Sequence, residues 1–496
     1  MTNELAPFKH SPKFSLLKQI KIIMNTKYLF RGLTLLTIAT NANAQKHEEN
    51  RINQNPNIII ILADDLGYGS LGCYGQKKIK TPHIDQMAKE GIRYTNAYCG
   101  TSVSAPSRCV LMTGMHTGHA AIRGNAEVNP YGQYPLPDSC LTIAEMLKQN
   151  GYYTGLMGKW GLVVENTEGD PQSQGFDDFF GYYCQVDAHN SFPEFLMKNQ
   201  KKVFLTNKVQ YESKDHWSRG RAGYATEKKQ YSNQLITEQA IKYIDSVKNE
   251  PFFVYLSLTI PHDNGEAPKN QIFEVPDFGI YKNKNWSEND KAYAAMITQL
   301  DKYVGDINHK LKELGLDQNT IVIFTSDNGA EYEGIFNSNG NLRGGKRDMY
   351  EGGIRVPMIV HWPEKIKKAR TSNQVCAFWD IMPTIADVIN KKDVPRTDGI
   401  SILPDWLGLN CKYRDYLYWE FHEQGKKQAV LQGDWKLIHL NVSIPEKECY
   451  ELYNIQKDPT EKNDIAFQNP KMVEKLKLIL QQEHIANPDW KFLPGE

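Results

Sequence analysis

The chain has 496 residues, enough for two or three domains, with 40% hydrophobic and 23% charged residues. Lys and Arg number 58 and Asp and Glu number 58, so the formal net charge is zero. This balance excludes a protein that grips nucleic acid through a global basic field, though local patches stay open.

From Met24 the chain reads MNTKYLFRGLTLLTIATNANAQ. Lys27 and Arg31 form a positive start, Gly32 to Thr40 is a short and mostly apolar run, and Ala42-Asn43-Ala44 is a small-x-small cleavage pattern. The reading is a leader over 1–44, with the signal proper at 24–44 and residues 1–23 an over-extended start. The run is too short to span a bilayer. No cysteine follows the cleavage pattern, so no lipid anchor is indicated, and the expected location is periplasmic or secreted. All eight cysteines lie in the mature part, and none forms a C-x-x-C pair. That disfavours a zinc or redox site and leaves disulfides or buried thiols open.

Residues 57-NIIIILADDLG-67 form a continuous apolar run that ends in two carboxylates and a glycine. The pattern predicts a strand buried on both faces, as in a parallel sheet. Leu141–Asn150 reads as a helix and Tyr153–Met157 as the next strand. Asn233–Val247 has helical spacing and leads into 252-FFVYLSLTI-260, which stops at Pro261. Asp290–Leu314 is helical and leads into 320-TIVIFTSDNG-329. Val356–His361 is a fourth apolar run, and Ile381–Ile389 a helix. Alternating strands and helices predict an α/β domain over residues 50–395 with a large, mainly parallel or mixed sheet. Lys198–Lys229 is polar and locally basic and reads as an excursion over that sheet. After about residue 395 the texture changes: 416-YLYWEF-421, 428-QAVLQ-432 and 435-WKLIHL-440 are strand-like, and a helix lies near Val473–Glu483. Residues 396–496 therefore read as a smaller α+β subdomain with an antiparallel sheet.

Function in such sheets sits beyond the carboxyl ends of the strands. Three strands end in chemistry: Asp64-Asp65, Pro261-His262 and Asp327-Asn328. Three carboxylates and an amide oxygen make a hard oxygen site suited to calcium or magnesium. Each pair alone also fits a turn or a helix cap. Ser104 in 102-SVSAPSRCVLMTG-114 stands at the mouth of a helix with no base beside it in sequence, and serine needs one to act as a nucleophile.

The stretches 104-SAPSR-108 and 111-LMTG-114 resemble the signature of the type I sulfatases, members of the alkaline-phosphatase superfamily. Beside them stand 61-ILADDLGYGSLGCYG-75, 158-GKW-160, 261-PH-262, 324-FTSDNG-329 and 344-GGKRDMYEGGIRVP-357. The segments 434-DWKLI-438 and 451-ELYNIQKDPTEKNDIA-466 resemble the closing domain of that family. The match runs in order from about residue 56 to about residue 466. The resemblance implies an alkaline-phosphatase-like fold and a sulfuric ester hydrolase. It implies that Ser104 is oxidised to formylglycine by an anaerobic sulfatase-maturing enzyme before export, which removes the need for a base: the hydrated aldehyde carries one hydroxyl to attack sulfur and a second to expel sulfate. It further implies one calcium ion held by Asp64, Asp65, Asp327, Asn328 and residue 104. Arg108, at i+4 on the helix, holds the diol and the carboxylates. The resemblance likewise implies that Lys159 and Lys346 clamp sulfate oxygens and that His262 protonates the leaving alcohol oxygen.

One departure stands out. The family often reads G-K-W-H, with a histidine that helps deprotonate the diol, whereas this chain reads 158-GKWGL-162, with Gly161 in that place. His119 and His189 are the substitutes to test. The Gly161 variant and 175-GFDDFFGYYCQVDAHN-190 resemble a branch of bacterial carbohydrate sulfatases. This branch implies a sulfated carbohydrate substrate, such as galactose or N-acetylgalactosamine, attacked by exo action. Phe179–Pro193 reads as a sugar-facing aromatic wall or as a buried loop, with His189 and Asn190 as sugar contacts and His119 as a further substrate residue. Two other readings stay in view: a two-zinc phosphatase or phosphodiesterase of the same superfold, and a non-catalytic sulfoglycan-binding protein.

Overall fold

A computed structural model describes residues 55–496, apart from 129–131, 216–219, 392, 394–395 and 413. The leader and the signal read at 24–44 lie outside the described residues. The core is a ten-stranded sheet. Its strands in chain order are β1 (Asn57–Ala63), β2 (Ile92–Tyr94), β3 (Tyr153–Lys159), β4 (Asp178–Tyr182), β5 (Phe195–Lys198), β6 (Lys201–Phe204), β7 (Phe252–Ser257), β8 (Thr320–Ser326), β9 (Met358–His361) and β10 (Arg370–Ser372). Their order across the sheet is β10-β2-β9-β8-β1-β7-β3-β4-β5-β6.

β1 sits in the middle, parallel to both β7 and β8; Ile60 faces Tyr255 on one side and Ile323 on the other. All seven of its residues are buried. Ile58, Ile60 and Leu62 enter one core, while Ile59, Ile61 and Ala63 enter the opposite one. Alternate side chains of a strand point to opposite faces, so a strand covered on both faces needs an unbroken apolar run. One layer holds α2 (Ser104–Thr113), α3 (Ile143–Gln149) and α6 (Ile381–Val388); the other holds α1 (Pro82–Glu90), α4 (Ser232–Ser246) and α5 (Glu288–Glu313). α3 starts with a capping box between Thr142 and Glu145, and α5 with Ser287 accepting from the Asp290 N–H.

The sheet is mixed. β9 pairs antiparallel with β8 and with β2, because an apolar run encodes burial and carries no strand direction. The polar stretch read as an excursion from Lys198 partly extends the sheet: β5 turns at Asn199, in the left-handed region, into the edge strand β6. Lysines at Lys201 and Lys202 suit an exposed edge, where charge discourages further pairing.

The C-terminal part forms an antiparallel meander of β11 (Leu417–Phe421), β12 (Lys427–Gln432), β13 (Trp435–Leu440) and β14 (Cys449–Asn454), with α7 (Pro470–Glu483) on one face. Val430, Leu437 and Leu452 pack under Leu476 and Leu480 of α7. The opposite face, with Trp419, Phe421 and Leu431, joins the core of the large sheet. Residues 56–496 form one unit. All eight cysteines are free. Among the described residues no helix is long and apolar enough to cross a membrane.

Candidate active site

Strands β1, β7 and β8 are parallel, so the segments that follow them emerge at the same edge of the sheet. Asp64 and Asp65 follow β1, and Asp327 and Asn328 follow β8. Asp65 takes a left-handed backbone (φ 60°), which turns the chain and lets both carboxylates reach one cluster. Its N–H donates to Asp327 Oδ1 at 3.1 Å, and the Asn328 amide nitrogen donates to Asp65 Oδ1 at 2.6 Å.

α2 meets this cluster at its first residue. The Ser104 hydroxyl donates to Asp64 Oδ1 at 3.1 Å. One turn on, Arg108 is fully buried; its Nη2 lies 2.8 Å from Asp327 Oδ2 and 3.4 Å from Asp64 Oδ2. Nη1 donates to the Lys159 carbonyl at 3.1 Å and to the Ser257 hydroxyl. Lys159, the last residue of β3, donates to Asp64 Oδ2 at 2.7 Å. Lys346 donates to Asp65 Oδ2 at 2.8 Å and reaches His262 Nε2 at 3.0 Å. A carbonyl can only accept, so the 2.6 Å contact of His262 Nδ1 with the Asp263 carbonyl puts the proton on Nδ1 and leaves Nε2 as acceptor.

Burial works against the charge on Asp64, yet Lys159 and Arg108 outweigh it and hold the carboxyl well below its usual range. Asp327 carries more of the cost: burial and the neighbouring Asp64 push it up to about 6. Burial, with Lys346 alongside, pushes His262 down to about 3, so the imidazole is neutral near pH 7. Lys346 stays charged, raised by Asp65 and Glu331 against its own burial.

These residues suit a hard cation. The Asn328 amide oxygen is buried without a hydrogen-bond partner, beside three carboxylates. Ligand atoms of Asp64, Asp65 and His262 lie within 4.8 Å of one another. An orphaned buried amide oxygen costs about 1–3 kcal/mol unless something binds it.

Ser104 opens onto a cavity of about 620 Å³, whose lining includes Asn125, Gln185, His189, His262, Lys346 and Arg347. His189 stacks on His262, with ring centroids 5.0 Å apart, and its Nδ1 lies 3.2 Å from Glu266. The other two sugar-contact expectations lie elsewhere. Asn190 is buried, with its side-chain oxygen accepting from the Phe192 N–H at 2.8 Å, as in a turn. His119 stacks on His116 and contacts Asp398 at 2.9 Å, outside the cavity lining. The aromatic wall read over Phe179–Pro193 is core: Phe179, Tyr182, Tyr183 and Phe192 are all buried. Asn125, Gln185 and Arg347 were not foreseen. Arg347 adjoins Lys346 in a quoted motif and pairs with Glu331 at 2.6 Å. The two amides carry no charge pattern; Gln185 lies inside the quoted stretch 175–190, where nothing marks it apart from its neighbours.

The family model for sulfatases matches residues 56–391, and the model for the C-terminal part of N-sulphoglucosamine sulphohydrolase matches residues 344–486. A Bacteroides thetaiotaomicron protein named N-acetylgalactosamine-6-O-sulfatase is 32% identical, over 91% of this chain and 97% of its own length. Human arylsulfatase A is 29% identical, over 86% and 87% of the two chains. A solved Bacteroides thetaiotaomicron sulfatase structure, described with a locus for the metabolism of multiple glycosaminoglycans, superposes with a TM-score of 0.70 at 30% identity and covers 87% of this chain and 99% of its own. Matching family model, near full-length relatives and shared fold agree with the chemistry gathered at the strand ends, and the chain belongs to the sulfatase family, the sulfuric ester hydrolases of alkaline-phosphatase-like fold.

Proposed function

We propose that the chain hydrolyses a sulfate ester on a carbohydrate, acting from the chain end on sulfated galactose or N-acetylgalactosamine. In this reading Ser104 is converted to formylglycine by an anaerobic maturing enzyme, one calcium ion is held by Asp64, Asp65, Asp327 and Asn328, and the protein works after export. The observation that carries it is the convergence of residue 104, three carboxylates, three cations and His262 at one cavity floor. The name of the Bacteroides relative favours the 6-O-sulfate of N-acetylgalactosamine as the first substrate to test.

Residue 104, as a hydrated aldehyde next to calcium, would supply an activated hydroxyl for attack on sulfur and a second hydroxyl for sulfate release. Lys159 and Lys346 orient the sulfate oxygens as fixed point charges in a water-poor site. Arg108 keeps Asp64 and Asp327 aimed at residue 104 and excludes other rotamers by its complete burial. His262 presents Nε2 to the cavity, where it takes a proton from the Lys346 side or from solvent and passes it to the leaving oxygen. A bound anionic ester favours the protonated imidazole and so opposes the downward push of burial.

The test is mass spectrometry of the Ser104 peptide from cells that contain the anaerobic maturase, paired with release of sulfate from N-acetylgalactosamine-6-sulfate. The expected mass loss is two hydrogens. Ser104→Ala abolishes turnover while removing one hydrogen bond, a stability cost of about 1 kcal/mol. An active enzyme with unmodified Ser104 overturns the proposal, as does zinc at two ions per chain.

A further inference from the structure

Gly161 adopts a left-handed backbone (φ 75°) just past the end of β3. The chain continues beside the end of β4: Trp160 N–H donates to the Tyr182 carbonyl and Gly161 N–H to the Tyr183 carbonyl, both at 3.0 Å. This pairing carries Gln185 alongside Gly161. A Cβ at position 161 would lie 2.9 Å from Gln185 Cγ, closer than side-chain atoms pack, so the Gln185 side chain fills the volume that the glycine leaves open. From there Gln185 Nε2 donates to Asn125 Oδ1 at 3.2 Å. The same Asn125 oxygen accepts the Ala105 N–H at 3.1 Å.

The Ala105 N–H belongs to the first turn of α2, where no intrahelical acceptor exists. Val103, the residue before that helix, gives it no side-chain cap. Asn125 therefore caps the helix from another loop and fixes the peptide that follows residue 104. Its own backbone N–H is tied to Glu423 at 3.2 Å, while Gln185 restrains its side chain. Gln185 is almost fully buried, and Ser104, Asn125 and Gln185 all line the same cavity.

We propose that Gln185 is a positioning residue: seated in the volume opened by Gly161, it holds the Asn125 amide against the Ala105 N–H and so sets the orientation of residue 104 at the cavity floor. The inference rests on residue 104 being the reacting group. A displacement of about 1 Å at a reacting group costs up to about a hundredfold in rate.

The test uses the full matured chain with Gln185→Leu, Gln185→Glu and Gly161→Ala, assayed on N-acetylgalactosamine-6-sulfate. Gln185→Leu keeps the bulk and loses the donor; kcat falls about tenfold or more while KM stays within about threefold. Gly161→Ala displaces Gln185 and gives the same split. In Gln185→Glu the carboxylate cannot donate to Asn125, whereas the protonated acid can, so relative kcat recovers as pH drops through the burial-raised range of that carboxyl, above the free value of about 4.3. Because a buried carboxylate is also relieved by protonation whatever its role, this recovery is read together with the exchange measurement. Hydrogen exchange gives a readout independent of turnover: in Gln185→Leu the Ala105 amide exchanges several-fold faster than in the parent, with protection in β1 unchanged. Wild-type kcat together with wild-type exchange in Gln185→Leu overturns the inference. A parent enzyme with no turnover on any sulfate ester removes the sulfatase substrate reading instead, and the exchange measurement still decides the part assigned to Gln185.

Discussion

Lys436→Met tests how the C-terminal meander is locked to the loop that carries Lys346. Lys436, on β13, is fully buried, with its ammonium 2.9 Å from Glu351 and 2.9 Å from Glu461. Glu351 also keeps Arg355 at 3.3 Å and the Tyr98 hydroxyl at 2.9 Å. The cluster thus holds two cations against two carboxylates. Methionine matches the lysine stem in bulk and removes the charge, which leaves one buried carboxylate uncompensated at a cost of about 3–5 kcal/mol. The cost depends on pH. Glu351 ionises readily because Lys436 and Arg355 outweigh its burial, so Glu461 bears the burial penalty and is pushed up to about 7. A carboxyl raised in the folded state gives stability that is full below its unfolded pKa and is lost as pH rises through the folded one; for Glu461 that window runs from about 4.3 to 7. Without Lys436 the Glu461 pKa rises further and the loss extends above pH 7, by up to about 1.4 kcal/mol per pH unit. Equilibrium urea unfolding of parent and variant at about pH 6 and about pH 8.5 reads this directly. The expected difference is small at the lower pH and about 2 kcal/mol at the higher, from roughly 1.5 pH units above the parent Glu461 value at about 1.4 kcal/mol each. A loss under about 1 kcal/mol at high pH, or an equal loss at both, refutes the reasoning.

Two further predictions address the site and its surroundings. His119→Ala lowers stability by about 1–3 kcal/mol, since it leaves Asp398 short of a partner, and keeps KM for N-acetylgalactosamine-6-sulfate within about twofold; a large rise in KM returns His119 to the substrate site. Removal of divalent cations by a chelator abolishes turnover and lowers unfolding stability by about 2.7 kcal/mol relative to enzyme with cation at a hundred times its Kd. Calcium restores both, and restoration by zinc alone contradicts a hard oxygen site.

The strand ends were legible because buried parallel strands need continuous apolar runs, and a break from NIIIILA to Asp64-Asp65, or from TIVIFTS to Asp327-Asn328, marks the edge where polar groups become affordable. Strand direction was not legible, so β9 was expected only as a run. The aromatic stretch at Phe179–Pro193 was ambiguous for a different reason: a ring that stacks on a sugar and a ring that packs in a core have the same composition, and only burial separates them. His119 and His189 looked equivalent in sequence, yet one faces Asp398 and the other stacks on His262. Asn125 and Gln185 had no signal, since neutral amides take their role from geometry alone.

The charges at the cavity floor explain why so many ionisable groups tolerate burial together. Asp64, Asp65 and Asp327 carry three negative charges, and Arg108, Lys159 and Lys346 carry three positive ones, all buried or nearly so. An unpaired charge among them would cost several kcal/mol. Arg108 is tied to the helix and to both strand ends, so its pairing is fixed by the fold. Lys159 and Lys346 each hold a carboxylate oxygen of the pair that follows β1. Those oxygens are also donor atoms of the proposed cation site. A divalent cation bound there would compete with both ammonium groups for these oxygens, while Lys346 would keep Glu331 at 3.2 Å. On the proposed reading a cation at these oxygens would loosen Lys159 and Lys346 from Asp64 and Asp65 and so favour an anion beside them; calcium titrations with and without inorganic sulfate are expected to show each binding more tightly in the presence of the other, and equal affinities would refute the coupling.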